Sequence, residues 1–422
     1  MAASVPGSSA GGVRHSLVTY NILSEALCDT GSFKRYSPAD VDVDVRWGRI
    51  ESKLRSAMEE QCVLMLQEVS LEWASRIAVL CAQMGYMPIW RCYGSDFSNH
   101  MGVALLVPTA KYDVRRVRMA RVGKELEHLI PRVGEPCPPE TKPSATMVSI
   151  AAAVDAIGDA SWWVLPPVMS RPVKQVWRAV KRSVGIFRKE DLRLPAAPRD
   201  EPWKEARTRH NAVVYASLVP KEDPSARPLG VAVYHMPCRF RGIARGVMTL
   251  HTWSLAKTLH RWASEDGADP VLGADFNFKP ADRQYRLLAT GSLLTEEEEA
   301  AAAAAEPSFV EDDPRGSSAG AFAPKDPSDF DGRLPAGLRL TSAYKAVHGA
   351  EPDFTNYNFA DMVGDEPFID ALDFIWIGDG LRAVAAPALP SRTDDGVLEA
   401  GPYPSEAEPS DHVMVRADVV QV

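Results

Sequence analysis

Short apolar runs that stop abruptly on a carboxylate, an amide or an imidazole recur along this chain, and they constrain its fold more than any other feature. Cys62-Val63-Leu64-Met65-Leu66 leads straight into Gln67-Glu68, Val231-Ala232-Val233-Tyr234 into His235, and Pro270-Val271-Leu272-Gly273 into Ala274-Asp275-Phe276-Asn277. Runs of this length, bounded by polar residues, read as buried strands. Further strands are expected at 16–21, 86–93, 102–108, 112–117, 211–219, 372–377 and 412–420. Between them, Trp47, Ile50, Leu54 and Met58 share one helical face behind Ser37-Pro38, which offer a cap and a first-turn proline. A second helix is expected over 71–84. Strands alternating with helices and hairpins fit an α/β sandwich rather than a helical bundle.

Composition narrows the alternatives. A chain of 422 residues, 45% hydrophobic and 24% charged, is ordinary globular material, long enough to bury a full core. Its formal charge of −9 and pI near 5.6 provide no global basic field, so any contact with nucleic acid must use local positive potential. Cys28, Cys62, Cys81, Cys92, Cys137 and Cys238 are scattered without C-x-x-C spacing, which argues against a zinc site or a disulfide framework and reads as buried free thiols. Residues 1–15 read as a flexible N-terminus without the apolar core of a secretory signal. No apolar run approaches the roughly 20 residues that span a bilayer. A soluble, cytoplasmic protein is the expectation.

The remainder, 16–422, is expected to be a single domain with two insertions. The first, about 123–204, is rich in proline and carries a basic stretch from Arg171 to Lys189 beside Trp162, Trp163 and Trp177. That stretch reads either as a charged and stacking surface for single strands or as a solvated or membrane-surface amphipathic helix. The second, about 291–335, joins a glutamate run to an alanine run and reads as a surface loop.

The chemistry sits at the strand ends. Glu68 would project from the C-terminal rim of the sheet as a metal ligand, with Asn21 at a similar strand end orienting the ion or its water. Asp275 and Asn277 share parity and face one side. Asp275 is suited to orient or activate water and Asn277 to donate to a phosphoryl oxygen, although an Asx turn is an equal alternative. His235 and His412 could stabilise developing negative charge, and Asp411 could help to position metal or water. Asp373 lies inside the apolar run Leu372-Asp373-Phe374-Ile375, where a carboxylate needs a partner. His412 is the expected partner, with an arginine as the competing choice.

Taken in order, Thr19-Tyr20-Asn21-Ile22-Leu23, Leu66-Gln67-Glu68-Val69, Gly273-Ala274-Asp275-Phe276-Asn277 and Ser410-Asp411-His412 resemble the signatures of the endonuclease/exonuclease/phosphatase superfamily. Leu340-Thr341-Ser342-Ala343-Tyr344, Glu351-Pro352-Asp353-Phe354-Thr355-Asn356 and Leu372-Asp373-Phe374-Ile375 are similar to segments of its nocturnin, angel and carbon-catabolite-repression deadenylase branch. The resemblance runs from about residue 16 to residue 422 outside the two insertions. It implies a deoxyribonuclease I-like, four-layer α/β sandwich of two packed, mainly antiparallel sheets flanked by helices. It further implies Mg²⁺ as cofactor, with Mn²⁺ able to substitute, held by Glu68, Asn21 and Asp411. Asp275, Asn277, His235, His412 and Asp373 match the catalytic set, and Arg209 and Asn211 match an Arg-x-Asn segment that contacts substrate phosphate.

The implied activity is a magnesium-dependent phosphodiesterase, a 3′-to-5′ exoribonuclease acting on single-stranded RNA tails and releasing nucleoside 5′-monophosphates. A nocturnin-like phosphatase acting on a 2′-phosphorylated dinucleotide and a catalytically silent RNA-decay scaffold are the alternatives. No leucine-rich docking repeat is visible in the sequence. Three departures from the family pattern stand out: Ala274 within Gly-Ala-Asp-Phe-Asn, Tyr234-His235-Met236-Pro237-Cys238 in place of Thr-His-Leu, and Phe374 in place of tyrosine. The second alters the cleft beside His235 and bears on substrate choice.

Overall fold

The computed structural model describes residues 12–28, 36–93, 100–129, 202–238, 243–293, 297, 332–359 and 367–422. The basic stretch 171–189, Trp162, Trp163, Trp177, Cys137 and the glutamate–alanine run lie outside the described residues, apart from Glu297.

Two six-stranded sheets carry the fold. The first comprises β1 (Arg14–Asn21), β2 (Val63–Gln67), β3 (Tyr86–Tyr93), β4 (Met101–Pro108), β13 (Leu381–Ala385) and β14 (Val415–Gln421), in the order β13-β14-β1-β2-β4-β3. The second comprises β5 (Tyr112–Arg121), β6 (Ala212–Pro220), β7 (Leu229–His235), β8 (Asp269–Asp275), β9 (Leu340–Ser342) and β12 (Asp373–Gly378), in the order β5-β6-β7-β8-β12-β9. A small antiparallel ribbon, β10 (Asn356–Asn358) with β11 (Phe368–Asp370), stands apart. Neighbours within the large sheets are antiparallel except for one pair in each, β1 with β2 and β7 with β8. The sheets are therefore mainly antiparallel but mixed. The two parallel pairs matter because Asn21, Gln67, His235 and Asp275 are all C-terminal residues of their strands.

Side-chain alternation builds the layers. Leu17 faces the space between the sheets with Val63, Met65, Val231, Val233, Val271 and Ile375. Its neighbour Val18 faces outward with Tyr20, onto helices α1 (Val43–Glu59) and α2 (Leu71–Met84) through Ile50, Leu54, Trp73 and Ile77. On the far side, Ala232, Tyr234, Leu272 and Trp376 pack under helix α5 (Ile243–Asp266) through Leu250, Trp253 and Leu259. Helices α3 (Val122–Leu129) and α4 (Pro202–Thr208) add Val122, Leu126 and Ala206 to the same core. Each such Val, Leu or Ile side chain taken fully from water contributes about 1.5–3 kcal/mol. The result is helix, sheet, sheet, helix.

Several local expectations are adjusted. Ser37-Pro38 opens only a four-residue helix, Pro38–Val41, and the main helix restarts at Val43 with Asp42 as its cap, accepting from the N–H groups of Asp44 and Val45. The chain turns between them because Asp42 is extended, with φ −64° and ψ 130°. α2 begins as expected behind Ser70, whose hydroxyl accepts from Trp73 N–H, and ends at Gly85 in the left-handed region. β5 continues to Arg121, beyond the expected end at 117. Of the described cysteines, Cys28, Cys62 and Cys81 are buried, but Cys92 is half-buried and Cys238 exposed. No helix among the described residues is long and apolar enough to cross a membrane.

One buried cation ties the site-bearing loops to the helical layer. Arg46 on α1 is fully buried, donates through Nε to Pro409 O at 2.8 Å, and donates through Nη2 to Ile22 O at 2.9 Å and Leu23 O at 2.7 Å. It thereby joins the segment after β1 to the one that precedes Ser410-Asp411-His412. Hydrogen bonds from a charged donor are worth about 1.5–3 kcal/mol each when breaking them strands buried partners. Arg46→Ala is expected to lower unfolding free energy by about 3–5 kcal/mol in urea titrations; a loss below about 1 kcal/mol would contradict this bracing role.

Candidate active site

Strand register places the polar strand ends together. In the second sheet Asp275 is the register partner of His235 on one side and of Asp373 on the other. In the first, Asn21 pairs with Gln67, and Glu68 follows immediately. An isolated bridge between Asn356 and His412 brings the last segment against β10. Gln67 itself turns away from the cleft, donating to Thr19 Oγ1 and Met65 O.

Asn21 lies at the centre. Its Oδ1 accepts from Leu23 N–H at 3.0 Å, which orients the amide and sends Nδ2 into the cleft. From there Nδ2 donates to Glu68 Oε1 at 3.1 Å and Asp275 Oδ2 at 3.0 Å, and lies 3.4 Å from His412 Nε2. The second oxygen of Glu68 accepts from Ser24 N–H at 3.0 Å. Glu68 holds φ at +57°, and Leu23 and Asn277 hold +50°, so three of the four positive-φ non-glycine residues among the described residues border this cleft. Such conformations cost about 1–3 kcal/mol each and persist where surrounding contacts hold them. One contact is visible beside Glu68: Val69 N–H donates to Gly102 O at 3.0 Å, and a Cβ on Gly102 would lie 2.2 Å from Val69 O. Glycine is needed there so that β4 can approach the turn.

Asp275 and Asn277 form the Asx turn that was the alternative to a catalytic role, Asn277 N–H donating to Asp275 Oδ1 at 2.9 Å. The turn uses one carboxylate oxygen and leaves Oδ2 toward the cleft, so the two readings are compatible. Asn277 donates through Nδ2 to Met236 O at 3.0 Å and stands 3.3 Å from His235 Nε2. The same Nε2 lies 3.4 Å from Asp275 Oδ2 and 3.9 Å from Glu68 Oε1. Burial, the largest influence, raises the Asp275 carboxyl above the ordinary range; His412 opposes it, Asp373 reinforces it, and His235 and the Asn21 amide pull downward.

Asp373 and His412 are paired at 2.7 Å through Oδ2 and Nδ1. Asp373 also accepts from Thr355 Oγ1 at 2.6 Å, and that hydroxyl oxygen accepts in turn from the N–H groups of Leu372 and Asp373. Burial pushes the His412 imidazole down, but Asp373, Asp275 and Asp411 together outweigh it and hold it well above the ordinary histidine range. Asp411 accepts through Oδ2 from Asn356 at 3.3 Å and Asn358 at 2.8 Å. Ser410 Oγ donates to Asn21 O at 2.6 Å and braces the segment.

Of the two remaining candidates, Asn211 touches this group and Arg209 turns to the preceding helix. Asn211 donates through Nδ2 to His235 O at 2.8 Å, and Arg209 is ion-paired with Glu205 on α4. Sequence reading missed Tyr93, whose hydroxyl lies 3.1 Å from His235 Nδ1. A tyrosine at a strand end carries no local signal, because its role depends on one sheet packing over the other. The roles of Thr355, Asn356 and Asn358 were also missed. Asn356 and Asn358 do share a strand face, the kind of parity that singled out Asp275 and Asn277.

The donor set fits a hard divalent cation. Glu68, Asp275, Asp373 and Asp411 are all buried, and Asp373 Oδ1 and Asp411 Oδ1 have no hydrogen-bond partner. Buried carboxylate oxygens without partners are costly unless a cation or water satisfies them. Donor atoms of Asp275, Asp373 and His412 lie within 4.8 Å of one another. Oxygen dominates the set, which suits Mg²⁺ or Mn²⁺ better than zinc.

A model of the Endonuclease/Exonuclease/phosphatase family matches residues 18–412. A search of curated proteins finds no match. Among solved structures, ANGEL2, a 2′,3′-cyclic phosphatase in complex with adenosine-2′,3′-vanadate, aligns with a TM-score of 0.60 at 17% identity over 97% of each chain. The human nocturnin catalytic domain with bound sulfate anion aligns with a TM-score of 0.51 at 15% identity, over 97% of this chain and 95% of that one. These likenesses establish a shared fold.

Proposed function

The chain belongs to the endonuclease/exonuclease/phosphatase family, and from that premise we propose a divalent-metal-dependent phosphodiesterase centred on Asn21, Glu68, His235, Asp275, Asn277, Asp373, Asp411 and His412. Membership makes it a hydrolase of phosphoester bonds. The observation that carries the finer reading is the position of Asp275. It is flanked in register by His235 and Asp373, and its free oxygen meets the Asn21 amide that also touches Glu68.

In this reading Glu68 and Asp411 hold Mg²⁺, with Mn²⁺ able to replace it, and Asn21 orients Glu68 and Asp275 through its N–H groups. A divalent ion bound there would supply Lewis-acid neutralisation of the charge that builds during the reaction. Asp275 orients a water for in-line attack and accepts its proton as the bond to phosphorus forms and the bond from phosphorus to the ribose 3′-oxygen breaks, that oxygen taking its proton from solvent. The Asn277 side-chain amide, His235 Nε2 and protonated His412 stabilise charge on the phosphoryl oxygens. Asp373 keeps His412 cationic and fixes its ring; Tyr93 and Asn211 position His235.

The substrate we propose is single-stranded RNA, shortened from its 3′ end with release of nucleoside 5′-monophosphates. The motif resemblance to the deadenylase branch supports it. A second reading, hydrolysis of a 2′,3′-cyclic phosphate at an RNA end, is favoured by the fold shared with ANGEL2 and its adenosine-2′,3′-vanadate complex. Purified protein with Mg²⁺ should be offered 5′-labelled RNAs with adenosine or mixed tails, RNA ending in a 2′,3′-cyclic phosphate, and a 2′-phosphorylated dinucleotide. A ladder of shortened RNA with nucleoside 5′-monophosphate as product is expected. Loss of the cyclic end without shortening would instead establish the second reading, and phosphate release from the dinucleotide alone would sink both.

A further inference from the structure

We propose that Arg91 and Arg121 form an anion subsite beside His235 that takes a second phosphate group of a nucleotide substrate, one step along the chain from the phosphate being cleaved. This rests on the phosphodiesterase reading and names what its cleft recognises.

The placement follows from the sheets. Arg91 and Tyr93 lie on the same face of β3, two residues and about 6.6 Å apart along the strand. Tyr93 reaches across to His235 Nδ1, so that face of β3 is turned toward the second sheet at the cleft. Arg121 closes β5 opposite Ala212, the residue after Asn211, which holds the His235 carbonyl. The Arg121 side chain bends toward the same spot, donating through Nη2 to Thr208 O at 3.4 Å and Arg209 O at 3.3 Å. The guanidinium groups of Arg91 and Arg121 thus border one flank of the cleft.

Their charge is poorly compensated. Among the described residues the Arg91 side chain has neither a hydrogen bond nor an ion pair, although the residue is half-buried. Nε of Arg121 is buried without a hydrogen-bond partner. Among the described residues no carboxylate pairs with Arg91 or Arg121. Burial and then the neighbouring Arg121 lower the Arg91 guanidinium, as expected for like charges held together. The unpartnered guanidinium of half-buried Arg91, held beside that of Arg121, matches a phosphate, which accepts two parallel hydrogen bonds from a guanidinium. The catalytic cluster beside them is rich in carboxylates and would repel the same anion, so the cleft has one pole for the metal and another for a second phosphate.

The test separates this subsite from the catalytic reading. Binding of a labelled short oligoadenylate to chelated, uncleaving protein should be measured across salt for wild type, Arg91→Gln/Arg121→Gln and Arg91→Lys/Arg121→Lys. The slope of log affinity against log salt should fall by about 1.4 for the glutamine pair, or about 0.7 for each lost single-strand phosphate contact, and should be retained by the lysine pair. Arg382→Gln, on the opposite edge of the first sheet, is the control for general charge. With Mg²⁺, wild type should favour dinucleotides carrying a second, terminal phosphate over the dinucleoside monophosphate by about tenfold or more in kcat/KM, and the glutamine pair should erase that preference. Unchanged slope and preference would overturn the subsite. If an inositol bisphosphate, and not the oligonucleotide, responds to the substitutions, the nucleotide assignment is wrong. If wild type binds as expected but cleaves nothing, the catalytic reading fails while the subsite stands.

Discussion

Replacing Asp275 with asparagine is expected to lower kcat/KM for phosphodiester cleavage by about 10³-fold or more while leaving the fold in place. The side chain keeps its size but loses the capacity to take a proton from water. Two hydrogen bonds converge on the carboxylate, from Asn21 Nδ2 and Asn277 N–H, and an amide cannot accept both as well. Against that loss, the substitution removes a charge that burial disfavours, beside Asp373. The two effects oppose each other, and the net change in unfolding free energy should stay within about 1 kcal/mol. Chemical denaturation alongside kinetics checks both halves. An inactive protein that has also lost several kcal/mol would locate the defect in folding.

A second large effect is expected from Asp373→Asn, about 10²–10³-fold in kcat/KM, with a dependence on pH that a purely structural role would not produce. In the folded protein His412 stays protonated well above its ordinary range because the carboxylates of Asp373, Asp275 and Asp411 outweigh its burial. Without the Asp373 charge the imidazole titrates lower, so the ratio of wild-type to variant activity should widen as pH rises from about 6 to about 8.5. The stability consequence has a fixed sign. A histidine whose folded value is raised contributes stability that is complete below its unfolded value, near 6.5, and is lost as pH climbs through the folded value. Chelated wild type should therefore lose its advantage over the variant toward alkaline pH. A flat ratio of activities across that range would remove His412 as a cationic participant.

What could be read from the sequence divides along physical lines. Strand ends were legible because a short apolar run that stops on a polar residue is the pattern of a buried strand reaching the rim of its sheet. The strand parity expected of Asp275 and Asn277 does not hold, because the strand ends at Asp275 and Asn277 stands beyond it in an Asx turn with φ +50°, which the two-residue period of a strand does not describe. Asp373 stood out because a carboxylate within Leu-Asp-Phe-Ile needs a partner, and the structure supplies His412 at 2.7 Å. Contacts between the sheets were not legible. Tyr93 reaches His235 only because β3 packs over the second sheet, and nothing within residues 86–93 signals that. Nothing in the sequence around Arg46 marks it, yet it is fully buried and bonded to three carbonyls. The break at Asp42 was missed because Ser37-Pro38 is the stronger local start signal, and the true cap lies five residues on.

Metal dependence of catalysis at this cluster is the most direct test of the proposed centre. Exhaustively chelated protein should be mixed with labelled RNA, then supplied with Mg²⁺ or Mn²⁺, for wild type and Asp275→Asn in parallel. The expected result is no cleavage without metal, recovery of wild-type cleavage with either ion, and no comparable recovery for the variant. Cleavage that persists through chelation, or a variant that matches wild type after metal is restored, would contradict the assignment of Glu68, Asp275 and Asp411 to a metal-dependent hydrolytic centre.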